Sequence, residues 1–244
     1  MRFDIMKEAF PQLIQGIPQT MLLVSISVGI GFILAVVFAQ MRLSKNILLS
    51  SLGRLYVYIF RSTPLLVQMY LIYYGSGQFR HFFQDIGLWQ FFREPYFCAI
   101  SALTLNTGAY TAEIIRGGIQ SVTWGEIEAG RAIGMSPWTL FKRIVFPVAI
   151  RQALPAYGNE VILMVKSSSL ASTITILEVT GIAKKIIAAT YAPIEVFIIA
   201  GSIYLVINFL VTRAINILEK RLSPQLHRKR EKKITRPYVA SVTH

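Results

Sequence analysis

Five long apolar stretches separated by shorter polar segments dominate the hydropathy pattern of the chain. They lie at about residues 20–41, 64–76, 96–115, 156–177 and 194–218. Since roughly 20 mostly apolar residues form a helix that crosses the hydrocarbon core of a membrane, each stretch is predicted to be a transmembrane helix. The second is short, and the apolar residues 52–60 before it are expected to form an interfacial helix that leads into it. The pattern predicts an all-α membrane protein with five transmembrane helices.

The composition agrees with this class, because 54% of the residues are hydrophobic and 15% are charged. The net charge of +13 would indicate nucleic-acid binding if it covered one face of a soluble domain. Here the basic residues lie between the apolar stretches, so no nucleic-acid partner is expected. Cys98 is the only cysteine, which excludes an intrachain disulfide and a cysteine-clustered metal site. The first stretch is too long for a signal-peptide core and is expected to be retained.

The basic residues predict the orientation of the chain, because lysine and arginine mark the cytoplasmic side of membrane proteins. Alternate segments carry eighteen of them on one side and six on the other. The N-terminus is therefore predicted to be periplasmic and the C-terminus cytoplasmic. Residues 1–19 are expected to form a periplasmic segment and residues 20–218 the membrane domain, with a cytoplasmic loop at about 124–150. Residues 219–244 are expected to be a basic cytoplasmic tail that stops transfer and lies at lipid headgroups.

The cytoplasmic loop has the pattern of two short helices. Glu126 and Glu128 begin the first helix, where acidic side chains suit the helix dipole, and Gly134 ends it. Ser136 and Pro137, a cap and a first-turn proline, begin the second helix. Apolar and charged faces on two such helices suit the groove of a partner protein. An amphipathic loop that lies on lipid headgroups fits the same pattern.

The same loop resembles the EAA loop, by which membrane subunits of ABC importers dock onto their ATPases. That pattern reads Glu-Ala-Ala, three residues, Gly, nine residues and Ile-x-Leu-Pro. The matching residues are Glu128, Ala129, Gly134, Ile144 and Pro147. Gly130 replaces the second alanine and Phe146 replaces the leucine. Glycine loosens a helix by about 1 kcal/mol relative to alanine, and neither departure is expected to change the geometry much. The resemblance implies that Glu128 caps or anchors the first helix at the ATPase groove.

The resemblance extends beyond the loop, over about residues 12–220. The segments that carry it are GIPQTMLLVSISVGIGFILAVVFAQMRLS, FRSTPLLVQMYLIYYG, ALTLNTGAYTAEIIRGGI and ALPAYGNEVILMVKSSSLA. They are similar to the polar amino acid permeases of ABC importers, and in particular to the M-type membrane subunit of histidine/lysine/arginine/ornithine or opine importers. The fold that this implies is the type I ABC importer permease fold with a cytoplasmic coupling-helix loop, in the bacterial inner membrane.

The resemblance also implies a set of partners. Two five-helix permease subunits, identical or paired with a Q-type partner, enclose the pathway, and an ABC ATPase dimer binds their loops. A periplasmic solute-binding protein delivers a polar, in particular cationic, amino acid or an opine. The chain has no G-x-x-x-x-G-K-[ST] sequence for nucleotide binding. ATP is therefore expected on the partner ATPase, and this chain is expected to bind no cofactor and to be no enzyme.

Polar residues within the predicted helices mark a candidate substrate pathway, since such residues are costly in hydrocarbon. They are Asn106 and Thr107 on the third stretch and Glu160, Lys166 and Ser167 on the fourth. Most lie near the midplane, where transporters place solute sites. Glu160 lies closer to the cytoplasm and about 120° around the helix from Lys166, so no ion pair is expected between them. A carboxylate suits a cationic substrate group, and an ammonium or serine suits a carboxylate; holding helices together is the alternative role.

Two further interpretations concern the rest of the chain. Glu113 and Arg116, one turn apart near the cytoplasmic end of the third stretch, are predicted to form a structural or gating pair. A self-sufficient solute channel or secondary transporter is the alternative to the importer, since polar midplane residues also line pores. An enzyme is disfavoured, because the histidines lie in loops or the tail and neither H-E-x-x-H nor G-x-S-x-G occurs.

Overall fold

The computed structural model describes residues 2–222, which are helical throughout apart from short connections, with no β-strand in that range. The α-helices are α1 (Phe3–Ile14), α2 (Ile17–Leu43), α3 (Ile47–Ser62), α4 (Leu65–Tyr70), α5 (Ser76–Gln78), α6 (Arg80–Asp85), α7 (Trp89–Phe92), α8 (Pro95–Gln120), α9 (Trp124–Ala132), α10 (Pro137–Leu140), α11 (Phe146–Ser167), α12 (Val179–Thr190) and α13 (Pro193–Leu222). π-Helical turns at Leu71–Gly75 and Phe141–Val145 join α4 to α5 and α10 to α11, and a 3-10 helix at Ser168–Ile174 follows α11. The all-α fold class is confirmed.

The predicted apolar stretches fall on helices, with one difference in extent. The first, third and fifth lie within α2, α8 and α13, and the second runs from α4 into α5. The helix of the fourth stretch already begins at Pro137 and accommodates Pro155 inside α11. It ends at Ile174 rather than at residue 177, because Thr175 has a φ of 71°. This left-handed conformation ends a helix.

Two helical segments are long and apolar enough to cross a membrane on their own, Phe3–Leu43 and Pro193–Arg221. Two bent helix pairs meet the same criterion when each pair counts as one span: α3 with α4 and α5, and Pro137–Ile174 with α12. Up to four spans are therefore identified by length and composition within residues 2–222. The predicted span that is not among them is the third, which lies within α8.

α8 lies at the centre of the packing and contacts α2, α3, α4 and α11. Its buried face is rich in small residues, which allow helices to approach closely: Ala99, Ala102, Gly108, Ala109 and Ala112. Buried polar residues on the same helix lower its hydropathy: Thr104, Asn106, Thr107 and Thr111. Its 26 residues give a helix about 39 Å long, enough to cross a membrane. The count of five spans stays a prediction.

The structure describes nearly all of the predicted N-terminal segment and almost none of the predicted C-terminal tail. The predicted periplasmic segment contains α1, which packs against α12 and α13. The predicted basic tail lies almost entirely outside the described residues, so its role at lipid headgroups stays a prediction.

Glu178 lies at the break where the segment Pro137–Ile174 and α12 are bent by 46° relative to each other. It is the N-cap of α12 and is fully buried. Its carboxylate accepts hydrogen bonds from the backbone N–H groups of Thr180 at 3.0 Å and Gly181 at 2.8 Å, and from the Tyr204 hydroxyl at 2.6 Å. One buried carboxylate thus caps α12 and ties it to α13. Glu178 is not among the residues predicted from the sequence, since it lies between two apolar stretches.

Candidate functional site

Glu160 lies in the interior of the helix bundle. It is on α11, with 6% of its surface exposed, and α11 packs against α8. Thr107 of α8, itself buried, lies close to the carboxyl group. No lysine or arginine lies within 4.0 Å of this carboxylate in residues 2–222. Glu160 and Thr107, both predicted pathway residues, therefore meet at the contact of α8 with α11.

Asn106 precedes Thr107 but faces a different part of the bundle. Its side-chain amide donates to the Phe60 carbonyl at 3.2 Å and to Oε1 of Gln68 at 3.1 Å. The Gln68 amide in turn donates to the Phe60 carbonyl at 2.9 Å and to Oγ1 of Thr63 at 2.7 Å. These bonds brace the 103° bend between α3 and α4. The observed contacts of Asn106 thus stabilise this bend, and its substrate role stays a prediction.

Lys166 and Ser167 lie at the other end of α11. Lys166 is exposed and Ser167 is half-buried, whereas Glu160 on the same helix is buried. This difference agrees with their angular separation, and no ion pair joins Glu160 to Lys166. The neighbouring hydroxyls of Ser168 and Ser169 donate to the carbonyls of the preceding turn, at 2.8 Å and 2.6 Å. The structure therefore does not bring Lys166 together with Glu160.

The predicted pair of Glu113 and Arg116 forms and includes a further partner. Arg116 contacts Oε1 of Glu113, and Arg42 at the end of α2 contacts Oε2. Both carboxylate oxygens are therefore engaged by arginine. The sequence gives no signal that associates Arg42 with this pair, because α2 and α8 lie far apart along the chain.

The predicted loop forms two helical segments at an abrupt turn. Thr123 caps α9: its hydroxyl accepts from the Glu126 N–H at 3.4 Å, and the Glu126 carboxylate accepts from the Thr123 N–H at 3.0 Å. This capping box requires an acid three residues after the cap, so Glu126 and not Glu128 completes the cap that Thr123 begins. Glu128 and Ala129 lie on α9, and both are exposed. Gly134 has a φ of +78° and makes the turn after α9, as the pattern predicts.

The second helix of the loop begins at Pro137 with Ser136 as its cap, as predicted, but it does not end within the loop. It continues through the π-helical turn into α11. Ile144 lies in that turn and Pro147 in the first turn of α11. A continuous helical segment therefore connects the loop to Glu160. π-Helical turns of this kind recur at functional sites.

Gly130 contributes more to the loop than the sequence predicts. A Cβ at this position would come within 2.4 Å of Cδ1 of Leu140 and 3.0 Å of Cδ1 of Ile144. The absence of a side chain thus lets α9 lie directly against the second helical segment. Both contacting atoms are the ends of flexible side chains, which can shift, so the expectation that this departure changes the geometry little stays a prediction.

Three large apolar side chains project from the loop into open space. Trp124 is 73% exposed, Ile133 74% and Trp138 70%. Trp138 also stacks on Phe141, with ring centroids 6.0 Å apart. Exposed aromatic residues held by local packing are typical anchors of protein interfaces. The loop therefore presents a surface that suits a protein partner.

Comparisons with known proteins agree with these features. The family model "Binding-protein-dependent transport system inner membrane component" matches residues 27–224. The chain is 63% identical to the nopaline transport system permease protein NocM of Agrobacterium fabrum, over 93% of this chain and 94% of NocM. It is 44% identical to the histidine/lysine/arginine/ornithine transport system permease protein HisM of Escherichia coli, over 84% of this chain and 87% of HisM. A crystal structure of an amino acid ABC transporter with histidines matches with a TM-score of 0.80 and 34% identity, over 91% of this chain and 99% of that chain. The chain belongs to the family of inner membrane components of binding-protein-dependent transport systems.

Proposed function

We propose that this chain is the permease subunit of an ATP-driven importer for cationic amino acids or opines. The observation that carries the proposal is the continuous helical segment from Pro137 to Ser167, which bears the exposed Trp138 at one end and the buried Glu160 further along. At about 1.5 Å per residue these two residues are roughly 33 Å apart along the segment. A partner that moves the loop would thereby move the wall of the pathway.

The partners follow from the two ends of this segment. An ATPase dimer binds the loop through the surface formed by Trp124, Ile133 and Trp138, together with Glu128 and Ala129. A second permease subunit, identical or homologous, completes the pathway, and a periplasmic solute-binding protein delivers the substrate. The importer lies in the bacterial inner membrane with the N-terminus of this chain outside. ATP binds the ATPase and not this chain.

The substrate class is inferred from the chemistry at the contact of α8 with α11. Glu160 is a buried carboxylate with no salt-bridge partner within residues 2–222, and such a group suits a guanidinium or ammonium group. The relatives named for nopaline and for histidine, lysine, arginine and ornithine transport support cationic amino acids or opines as substrates.

Gly134→Leu is expected to abolish coupling while membrane insertion stays normal. Leucine at a φ of +78° costs about 1–2 kcal/mol, which displaces the turn that orients the second helical segment. Binding-protein-dependent uptake and substrate-stimulated ATPase activity of the reconstituted transporter should both fall. Gly87→Leu is the matched control: Gly87 also has a positive φ, and a Cβ at either glycine would have no neighbouring atom within 4 Å, but Gly87 lies between α6 and α7. Wild-type coupling in the Gly134 variant would remove this loop from the mechanism.

The orientation can be tested with reporter fusions. A reporter that is active only in the periplasm should be silent after Arg143 or Lys233 and active near Asp85 or Thr190, because the basic residues cluster on the cytoplasmic side. Lys184 is the position that tests the predicted orientation most directly, since this orientation puts its positive charge on the outer side of the membrane. Cytoplasmic labelling of a cysteine at position 184 would show that the spans are miscounted.

Copurification distinguishes the importer from a self-sufficient channel or secondary transporter. The importer requires that the chain retain an ATPase subunit on purification and that liposomes holding the chain alone stay impermeable to the solute. Failure to retain an ATPase, together with solute flux through the chain alone, would favour the channel.

A further inference from the structure

A cavity of about 500 Å³ lies between α2, α3 and α8, and neither Glu160 nor Thr107 lines it. We call it the arginine cavity. Its lining residues are Arg42, Arg54, Val57, Tyr58, Arg61, Ser62, Tyr110 and Glu113. Three arginines from two helices thus converge on one concave surface that holds a single carboxylate.

The carboxylate does not neutralise the arginine cavity. Both oxygens of Glu113 are engaged, one by Arg42 and one by Arg116. Among residues 2–222, Arg54 hydrogen-bonds only to the neighbouring turn of α3, through the Ser50 carbonyl at 3.3 Å and the Ser51 hydroxyl at 3.5 Å.

Arg61 lies over the Tyr110 ring, 5.1 Å from its centroid. Within residues 2–222 no carboxylate lies within 4.0 Å of Arg54 or Arg61. The cavity therefore carries an excess of positive charge and several free guanidinium donors, the chemistry that recognises an oxyanion.

The surroundings of the cavity favour a lipid. Glu113 is seven residues before the end of α8, about 10 Å along the helix, which places the cavity at the boundary between headgroups and hydrocarbon on the predicted cytoplasmic side. Tyr58, which lines the cavity, is 71% exposed, so the cavity opens at the surface of the described residues. Leu52, Leu55 and Ile59 are exposed about a third of a turn further round α3, where they suit surrounding acyl chains. Basic pockets between helices on the cytoplasmic side suit anionic headgroups.

We propose that the arginine cavity binds a phosphate oxyanion, supplied by the headgroup of an anionic phospholipid. Arg54 and Arg61 bind the phosphate, and Arg42 is held in place by Glu113. The depth assigned to the cavity rests on the orientation in the proposed function. Phospholipid binding does not depend on that orientation, since both leaflets of a membrane of symmetric composition contain the same headgroups.

The test uses the assembled transporter in nanodiscs made of equal parts phosphatidylglycerol and phosphatidylcholine. The transporter is then released from the nanodiscs, and native mass spectrometry identifies the lipids that stay bound to it. The wild type should retain phosphatidylglycerol selectively. The double variant Arg54→Gln/Arg61→Gln should bind it roughly thirtyfold more weakly, because two of the positive charges that attract the anionic headgroup are lost. Arg54→Lys/Arg61→Lys should retain most of the binding, because the charges remain.

Arg93→Gln is the matched control, since Arg93 is an arginine paired with Glu94 and lies before α8.

A second arm uses nanodiscs of phosphatidylcholine alone with inorganic phosphate. Phosphate-dependent thermal stabilisation that the Gln variant loses, without selective lipid retention, would support the oxyanion site and assign it a soluble anion. Equal phosphatidylglycerol retention by the wild type and the Gln variant, with no phosphate effect, would overturn the proposal. Neither arm measures transport, so a failure of the importer hypothesis gives a different result.

Discussion

Glu178→Ala is expected to lower the free energy of unfolding by about 2–4 kcal/mol. The substitution removes the N-cap of α12 and leaves the Tyr204 hydroxyl without its acceptor at 2.6 Å. It also leaves the backbone N–H groups of Thr180 and Gly181 without their acceptor, the former half-buried and the latter buried. Unpaired buried polar groups carry the full cost of desolvation. Thermal or denaturant unfolding of the purified protein in detergent measures the effect.

Asn46→Ala is the matched control for this prediction. Asn46 caps α3 and also accepts from two backbone N–H groups, at 2.9 Å and 3.4 Å, but it is exposed to solvent. Its loss should cost about 1 kcal/mol. Tyr204→Phe should fall between the two, because it removes one of the three donors to Glu178. Equal destabilisation by Glu178→Ala and Asn46→Ala would show that burial of the carboxylate contributes nothing.

The architecture could be predicted well from the sequence, because hydropathy and helix caps are local properties. The all-α class, the helical nature of the five apolar stretches and the family are confirmed. The turn at Gly134 and the helix start at Ser136 were likewise predictable, since glycine, serine and proline act on their immediate neighbours.

The contacts that fix the helices relative to one another could not be predicted in this way. Gln68 braces the bend between α3 and α4 through Phe60, Thr63 and Asn106, which lie up to 46 residues apart in the chain. Glu178 depends similarly on Tyr204, 26 residues later. A hydrogen bond between distant residues leaves no periodic signal, so only the tertiary structure identifies these partners.

The same limit applies to the candidate pathway. Polarity alone selected Asn106, Thr107, Glu160, Lys166 and Ser167. The structure separates them, because Thr107 lies beside Glu160, Asn106 faces the bend, and Lys166 is exposed. Their depth in the membrane follows from sequence position, but the direction of each side chain follows from helix packing. Glu160 is therefore the residue of this set with the strongest structural argument for contact with substrate.

Glu160→Gln is expected to lower uptake of arginine or lysine by roughly tenfold or more, since charged hydrogen bonds contribute about 1.5–3 kcal/mol. Glutamine keeps the size of the side chain and part of its capacity for hydrogen bonding but removes the negative charge that attracts a cationic substrate. The loss should be selective for cationic substrates, and assembly with the ATPase should survive. Uptake by the reconstituted importer and copurification of the ATPase measure the two effects separately.

Glu94→Gln is the matched control. Glu94 is an exposed carboxylate at the start of α8, and its substitution should leave uptake unchanged.

Thr107→Val distinguishes the two roles that Glu160 can have. If the carboxylate holds α8 to α11, removing the Thr107 hydroxyl and removing the Glu160 charge should destabilise the assembly together. If it meets the substrate, only Glu160→Gln should act on cationic uptake by roughly tenfold while thermal stability stays near that of the wild type. Loss of assembly in Glu160→Gln, or unchanged cationic uptake, would make Glu160 a structural residue and place the site nearer Asn106 and Ser167.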